Sequence, residues 1–182
     1  HENSGSAGKP LVASSGLSIQ YAISMGLIEH ARQSDSQQKI TLIVPANCYG
    51  GTNDQARRIA ACTANVGFLD LHVDGEHNMV ASLNDALDVA AKENAVPIII
   101  AEIPTNPRVE VPDMNALAAT LAQKRNNAAN AVAPEPIFVL DQTFCPNIPF
   151  LANDAKLANS QVIAYISGSK FPSGGLCTAG YA

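Results

Sequence analysis

Short apolar runs alternating with longer amphipathic stretches constrain this chain more than any other feature. "KITLIVP" (39–45), "VGFLDLHV" (66–73), "VPIIIAEIP" (96–104), "PIFVLDQT" (136–143) and "SQVIAYISGS" (160–169) have strand length and are rich in β-branched residues. Apolar spacing of three and four residues marks "GLSIQYAISMGLIEHAR" (16–32), "TNDQARRIAACTA" (52–64), "MVASLNDALDVAAKE" (79–93) and "VPDMNALAATLAQKR" (111–125) as helices. Thr52 suits the N-cap of the second, and Pro112 suits the first turn of the fourth. "GGLCTAGYA" (174–182) reads as one more strand. Strands that are apolar on both sides, separated by helices, form βαβ units. The expected class is α/β, a mainly parallel sheet with helices on both faces.

Composition narrows the options further. Of the 182 residues, 47% are hydrophobic and 15% are charged, enough apolar material for one large domain with a real core. A net charge of −5 and the lack of a Lys/Arg cluster argue against a nucleic-acid surface. No apolar run reaches the roughly 20 residues of a membrane span, and "HENSGSAGKP" lacks the apolar core of a signal peptide. Cys48, Cys62, Cys145 and Cys177 form no CxxC pair and no zinc-spaced cluster. Reduced, buried cysteines and a cytoplasmic setting are expected. His72 and His77 flank "VDGE", where no metal site is expected. "NNAANAVAPEP" (126–136) reads as a surface loop. The chain starts just before a helix, without an opening strand, and stops after a strand-like segment; both ends are expected to be cut from something longer.

Function is sought beyond the carboxyl ends of the strands, where open α/β sheets bind ligands. "ITLIVP" leads to "ANCYGGT" with Tyr49, and "PIIIAEI" to "PTNP" with Asn106. "IFVL" leads to Asp141 and Thr143, and "VIAYI" to Ser167, Ser169 and Lys170. Ahead of the first helix stands "ASSG", with Ser15 and Gly16, a turn that can act as a cap or hold a phosphate on free N–H groups. An anion cradle, an aromatic plate, an amide, a carboxylate and an amine on one rim suit a planar, phosphorylated heteroaromatic aldehyde, pyridoxal 5′-phosphate (PLP). Each residue also has a plainer reading: a solvated lysine, a turn aspartate, a rim tyrosine. "SGSKFPSGG" lacks the order of a P-loop, no GxGxxG follows the first strand, and Glu102 and Cys145 are taken as structural.

With "SSGLSI", "CYGGT", "EIPTNP", "VLDQTF" and "SGSKF" in that order, the chain resembles the Cys/Met-metabolism PLP enzymes, the cystathionine gamma-synthase-like group. The resemblance implies the large, PLP-binding domain of fold type I over residues 1–182. It implies a lyase or transferase acting on sulfur amino acids or O-acylhomoserine by β- or γ-elimination or replacement. By that resemblance Lys170 would hold PLP as a Schiff base and Asp141 would pair with the ring nitrogen. Tyr49 would stack on the ring, Asn106 would bond its hydroxyl oxygen, and Thr143 would sit beside Asp141. Ser15, Gly16, Leu17, Ser167 and Ser169 would hold the phosphate. The group's N-terminal arm and C-terminal domain, with its substrate-clamping arginine, are not visible in the sequence, and Phe171 stands where relatives usually carry tyrosine. A silent domain of the same fold, kept for assembly or interaction, is the alternative. The resemblance also implies a homo-oligomer, dimers pairing into tetramers, for the full-length protein, with an amino acid as the small-molecule partner.

Overall fold

The computed structural model describes residues 10–73, 78–152, 155–170 and 173–182. In chain order its elements are β1 (Val12–Ala13), α1 (Gly16–Ala31), β2 (Ile40–Pro45), α2 (Gly50–Cys62), β3 (Val66–Leu71), α3 (Met79–Lys92), β4 (Val96–Glu102), α4 (Met114–Ala122), β5 (Ile137–Asp141), β6 (Gln161–Ser167) and β7 (Gly180–Tyr181). The strands form one sheet in the order β1-β7-β6-β5-β4-β2-β3. Pairings from β3 through β6 are parallel, while β7 runs antiparallel to both β6 and β1. The expected mainly parallel α/β sheet is therefore present. His77 and Phe171 lie outside the described residues.

Both faces of the sheet are covered, which explains why its strands read as apolar runs. On one face, Ile19, Ile23 and Ile28 of α1 and Ala56 and Ile59 of α2 pack on Leu42, Val44, Ile98, Ile100 and Val139. Burying each such isoleucine side chain contributes about 2 kcal/mol. On the other face, Leu83 and Leu87 of α3 and Leu117 and Leu121 of α4 pack on Ile43, Ile99, Phe138 and Leu140. Alternate residues of one strand thus supply two separate cores.

Four details differ from the sequence reading. Helix α2 begins at Gly50 with Tyr49 as its N-cap, and Thr52 lies inside it, donating from Oγ1 to Gln20 Oε1 at 3.0 Å. Gly51 is the tight position of this start: a Cβ there would lie 2.7 Å from the Tyr49 ring and 2.9 Å from Leu17, whereas position 50 is open. Pro112 precedes the cap of α4: Asp113 is the N-cap and accepts from the N–H groups of Asn115 and Ala116. An opening strand exists, since Val12 and Ala13 pair with Tyr181 and Gly180. The closing strand shrinks to two residues. Loop 126–136 is mostly exposed, and Arg125 anchors its base through Asp88 Oδ1 at 2.8 Å and Asn84 Oδ1 at 2.7 Å.

Candidate active site

A cavity of about 200 Å³ opens at the carboxyl ends of β4, β5 and β6, on the face covered by α1 and α2. It lies beside the place where the strand order reverses, with β3 and β4 on opposite sides of β2. Ser15, Gly16, Leu17, Tyr49, Asn106, Asp141, Thr143, Ser167, Ser169 and Lys170 all line it. These residues span more than 150 positions of chain, and only the sheet brings them together.

The first turn of α1 forms one wall. Ser15 caps the helix, its Oγ accepting from Ser18 N–H at 3.0 Å. The next two N–H groups, of Gly16 and Leu17, have no partner within the helix, as is general for a helix start, and they carry its partial positive charge. Gly16 is seated tightly: a Cβ there would lie 2.7 Å from Ser167 Cβ. Ser167 and Ser169 complete this corner with hydroxyls 2.8 Å apart. Donors of this kind suit an anion.

The floor is a rung across three parallel strands. Register pairs Glu102 with Asp141, and Asp141 with Tyr165, so all three side chains leave the sheet on the same face. Asp141 Oδ1 accepts from Thr143 N–H at 2.9 Å and from Thr143 Oγ1–H at 2.5 Å. The Thr143 hydroxyl also accepts from Ser167 N–H at 2.9 Å, linking the carboxylate to the serine corner. Burial raises the Asp141 carboxyl above the usual carboxylate range, while the Thr143 bonds pull it back. Tyr165 donates to Gln20 Oε1 at 2.9 Å. Burial, and then the Asp141 charge, push its phenol well above its usual value, so it stays neutral.

Tyr49 and Lys170 stand at the mouth, both exposed. The Lys170 ammonium lies 5.9 Å from the centroid of the Tyr49 ring, within cation–π range. Asn106 follows β4 in a loop closed by Thr105, whose N–H donates to Glu110 O at 2.9 Å and whose hydroxyl accepts from Glu110 N–H at 3.0 Å.

Six further residues line the cavity: Gln20, Thr52, Glu102, Phe144, Tyr165 and Thr178. Glu102, taken as structural from the sequence, is 6% exposed and faces the same space. A charge inside "PIIIAEI" was the available sign, since an unpaired carboxylate in an apolar strand is costly to bury. Gln20 was legible in the same way, as a polar residue on the isoleucine face of α1. Cys145 donates from Sγ to Ile103 O at 2.8 Å and does not line the cavity.

No family model matches the sequence, and no curated protein matches it. Solved structures share the fold. A cystathione gamma lyase from Micromonospora echinospora superposes with a TM-score of 0.60 at 19% identity, over 94% of this chain and 37% of that chain. The metB protein from Corynebacterium glutamicum gives 0.61 at 19% identity, over 98% of this chain and 38% of its own. A serine palmitoyltransferase from S. paucimobilis with PLP bound gives 0.59 at 16% identity, over 100% and 40%. The architecture is that of PLP-dependent fold type I. The chain spans about two fifths of the length of these proteins.

Proposed function

We propose that this chain binds PLP in the β4–β6 cavity and serves a PLP-dependent lyase or transferase acting on amino acids. The observation that carries this reading is the shared cavity: an amine, Lys170, and a desolvated carboxylate, Asp141, line one space. The residues fit the group. Among the described residues Asp141 makes no ion pair, and a protonated ring nitrogen is the opposite charge that a buried carboxylate lacks. Gly16 has no room for a side chain against Ser167, which leaves the N–H groups of Gly16 and Leu17 as the donors at the phosphate corner. Tyr49 offers a ring face, Asn106 an amide, and Ser167 and Ser169 hydroxyls. Bound PLP would supply an electron sink for an amino acid's α-carbon. Asp141 would hold the ring nitrogen's proton, and Lys170 would present its amine and move protons at the α- and β-carbons.

The finer reading is elimination or replacement at the β- or γ-carbon of sulfur amino acids or O-acylhomoserine. It rests on the five sequence words and on the lyase and metB structures among the fold's relatives. A second reading, a catalytically silent domain, is favoured by one observation: among the described residues no arginine lines the cavity to clamp a substrate carboxylate. Incubation with PLP, borohydride reduction and peptide mass mapping should place a phosphopyridoxyl adduct on Lys170. Lys170→Ala should abolish both the adduct and the cofactor's absorbance band; an unchanged band in that variant refutes the lysine's role. Measurable elimination from cystathionine or O-acylhomoserine rules out the silent domain.

A further inference from the structure

Two carboxyls share the cavity floor, and the PLP reading uses only one of them. Glu102 and Asp141 are register partners on adjacent parallel strands, whose axes lie about 4.8 Å apart. Neither makes an ion pair among the described residues. Their hydrogen bonding is unequal. Asp141 accepts two bonds from Thr143 on Oδ1. Glu102 Oε1 accepts one bond, from Tyr49 N–H at 3.0 Å, and Glu102 Oε2 is buried with no partner. Hydrogen bonds to the charged form stabilise it, so of two adjacent carboxyls the poorly bonded one takes the proton first.

We propose that Glu102 is the cavity's resident acid: it carries on Oε2 the proton that leaves Asp141 ionised, and through Oε1 it fixes the Tyr49 loop against the end of β4. The PLP reading enters only in naming the ligand; the rest concerns the chain alone. Near neutral pH the floor then offers a ligand one acceptor, Asp141, and one neutral donor, Glu102. The groups facing Glu102 are consistent with this. Asp141 on β5 raises it, after the larger effect of burial, to about 7. Tyr165 on β6 stays a neutral phenol, and Cys48 beside Tyr49 is pushed up to about 12 by burial and stays a thiol. Among the described lining residues α1 and α2 supply no ionisable side chain, Gln20 and Thr52 being neutral, and Tyr49 and Lys170 stand at the mouth.

The test is carried out on the chain without PLP, so failure of the cofactor reading cannot be mistaken for failure of this one. Carboxyl ¹³C NMR, with the Glu102 signal assigned by its loss in Glu102→Gln, should show Glu102 titrating near 7. The Tyr49 amide proton should shift with the same midpoint, because a charged acceptor strengthens its bond. In Asp141→Asn the Glu102 midpoint should fall. Exchange at the Tyr49 amide should speed up about tenfold or more in Glu102→Ala and stay within about threefold of the parent in Glu102→Gln, which keeps an acceptor oxygen. A Tyr49 amide blind to the Glu102 titration in the unaltered chain overturns the positioning role, and needs no variant to fold. An unmoved Glu102 midpoint in Asp141→Asn overturns the shared proton.

Discussion

An alanine at position 16 would press against the one corner of the cavity that has no slack. Its Cβ would lie 2.7 Å from Ser167 Cβ, 2.9 Å from Ser167 Oγ and 3.2 Å from Ser167 Cα. Ser167 is not a flexible tip that can swing aside. It ends β6, pairs with Gly180 and donates its N–H to Thr143 at 2.9 Å. The helix also rests closely on β7, since a Cβ on Gly180 would strike the Ser15 carbonyl and lie 2.7 Å from Ile19, so moving α1 off Ser167 would loosen that contact. Overpacking of this kind costs about 1–3 kcal/mol. The better helix propensity of alanine offsets up to about 1 kcal/mol of that, leaving a net loss of about 1–2 kcal/mol. For a chain of this size the melting temperature should drop by about 3–6 °C. Urea melts followed by circular dichroism give Gly16→Ala, Ser167→Gly and the double variant. Because Ser167→Gly removes the atoms at 2.7 and 2.9 Å, the double variant should be more stable than the sum of the singles by at least about 1 kcal/mol. Parent-like stability in Gly16→Ala, or simple additivity, refutes the proposed seating of α1 on the β6 end.

Other perturbations test other parts of the fold. Arg125→Ala removes a side chain that is 8% exposed and whose guanidinium joins Asp88, Asn84 and the carbonyls of Thr120 and Gln123, and should cost about 2–3 kcal/mol in urea melts; Arg125→Lys should recover little, lacking the planar fork. Burial lifts the Glu102 carboxyl from its ordinary 4.5 to about 7, so its contribution to stability is intact below pH 4.5 and is lost as pH rises through 7. The unfolding free energy should fall by about 3 kcal/mol across that window, and Glu102→Gln should flatten the fall. Asp141 is raised in the same direction and adds to the slope. Val109 holds φ at 60°, a left-handed backbone that β-branched residues resist. Val109→Asn should gain about 1 kcal/mol in the same melts; no gain would mean that the Thr105–Glu110 loop does not hold position 109 under strain.

Much of this molecule is written along the chain. β2 and β4 are apolar on both sides because helices cover both faces, so their type and the sheet's parallel character follow from local composition. Ser15, Tyr49, Asn106, Asp141 and Lys170 could each be picked out as polar groups at a strand or helix end, and pattern alone limits which residues those are. Local sequence could not place the start of α2. Propensity puts it at Thr52, after two poor helix formers, but the Tyr49 ring and Leu17 leave no room for a side chain at Gly51, and packing overrules propensity. Nor could it distinguish Glu102 from a buried structural charge. That depends on β4 lying beside β5 in one register, which sets two carboxyls on a single rung. Strand order, register and the fit of α1 on the ends of β6 and β7 arise from contacts between residues far apart in sequence. Local composition fixes which elements form, whereas the shape of the cavity depends on how the sheet aligns them.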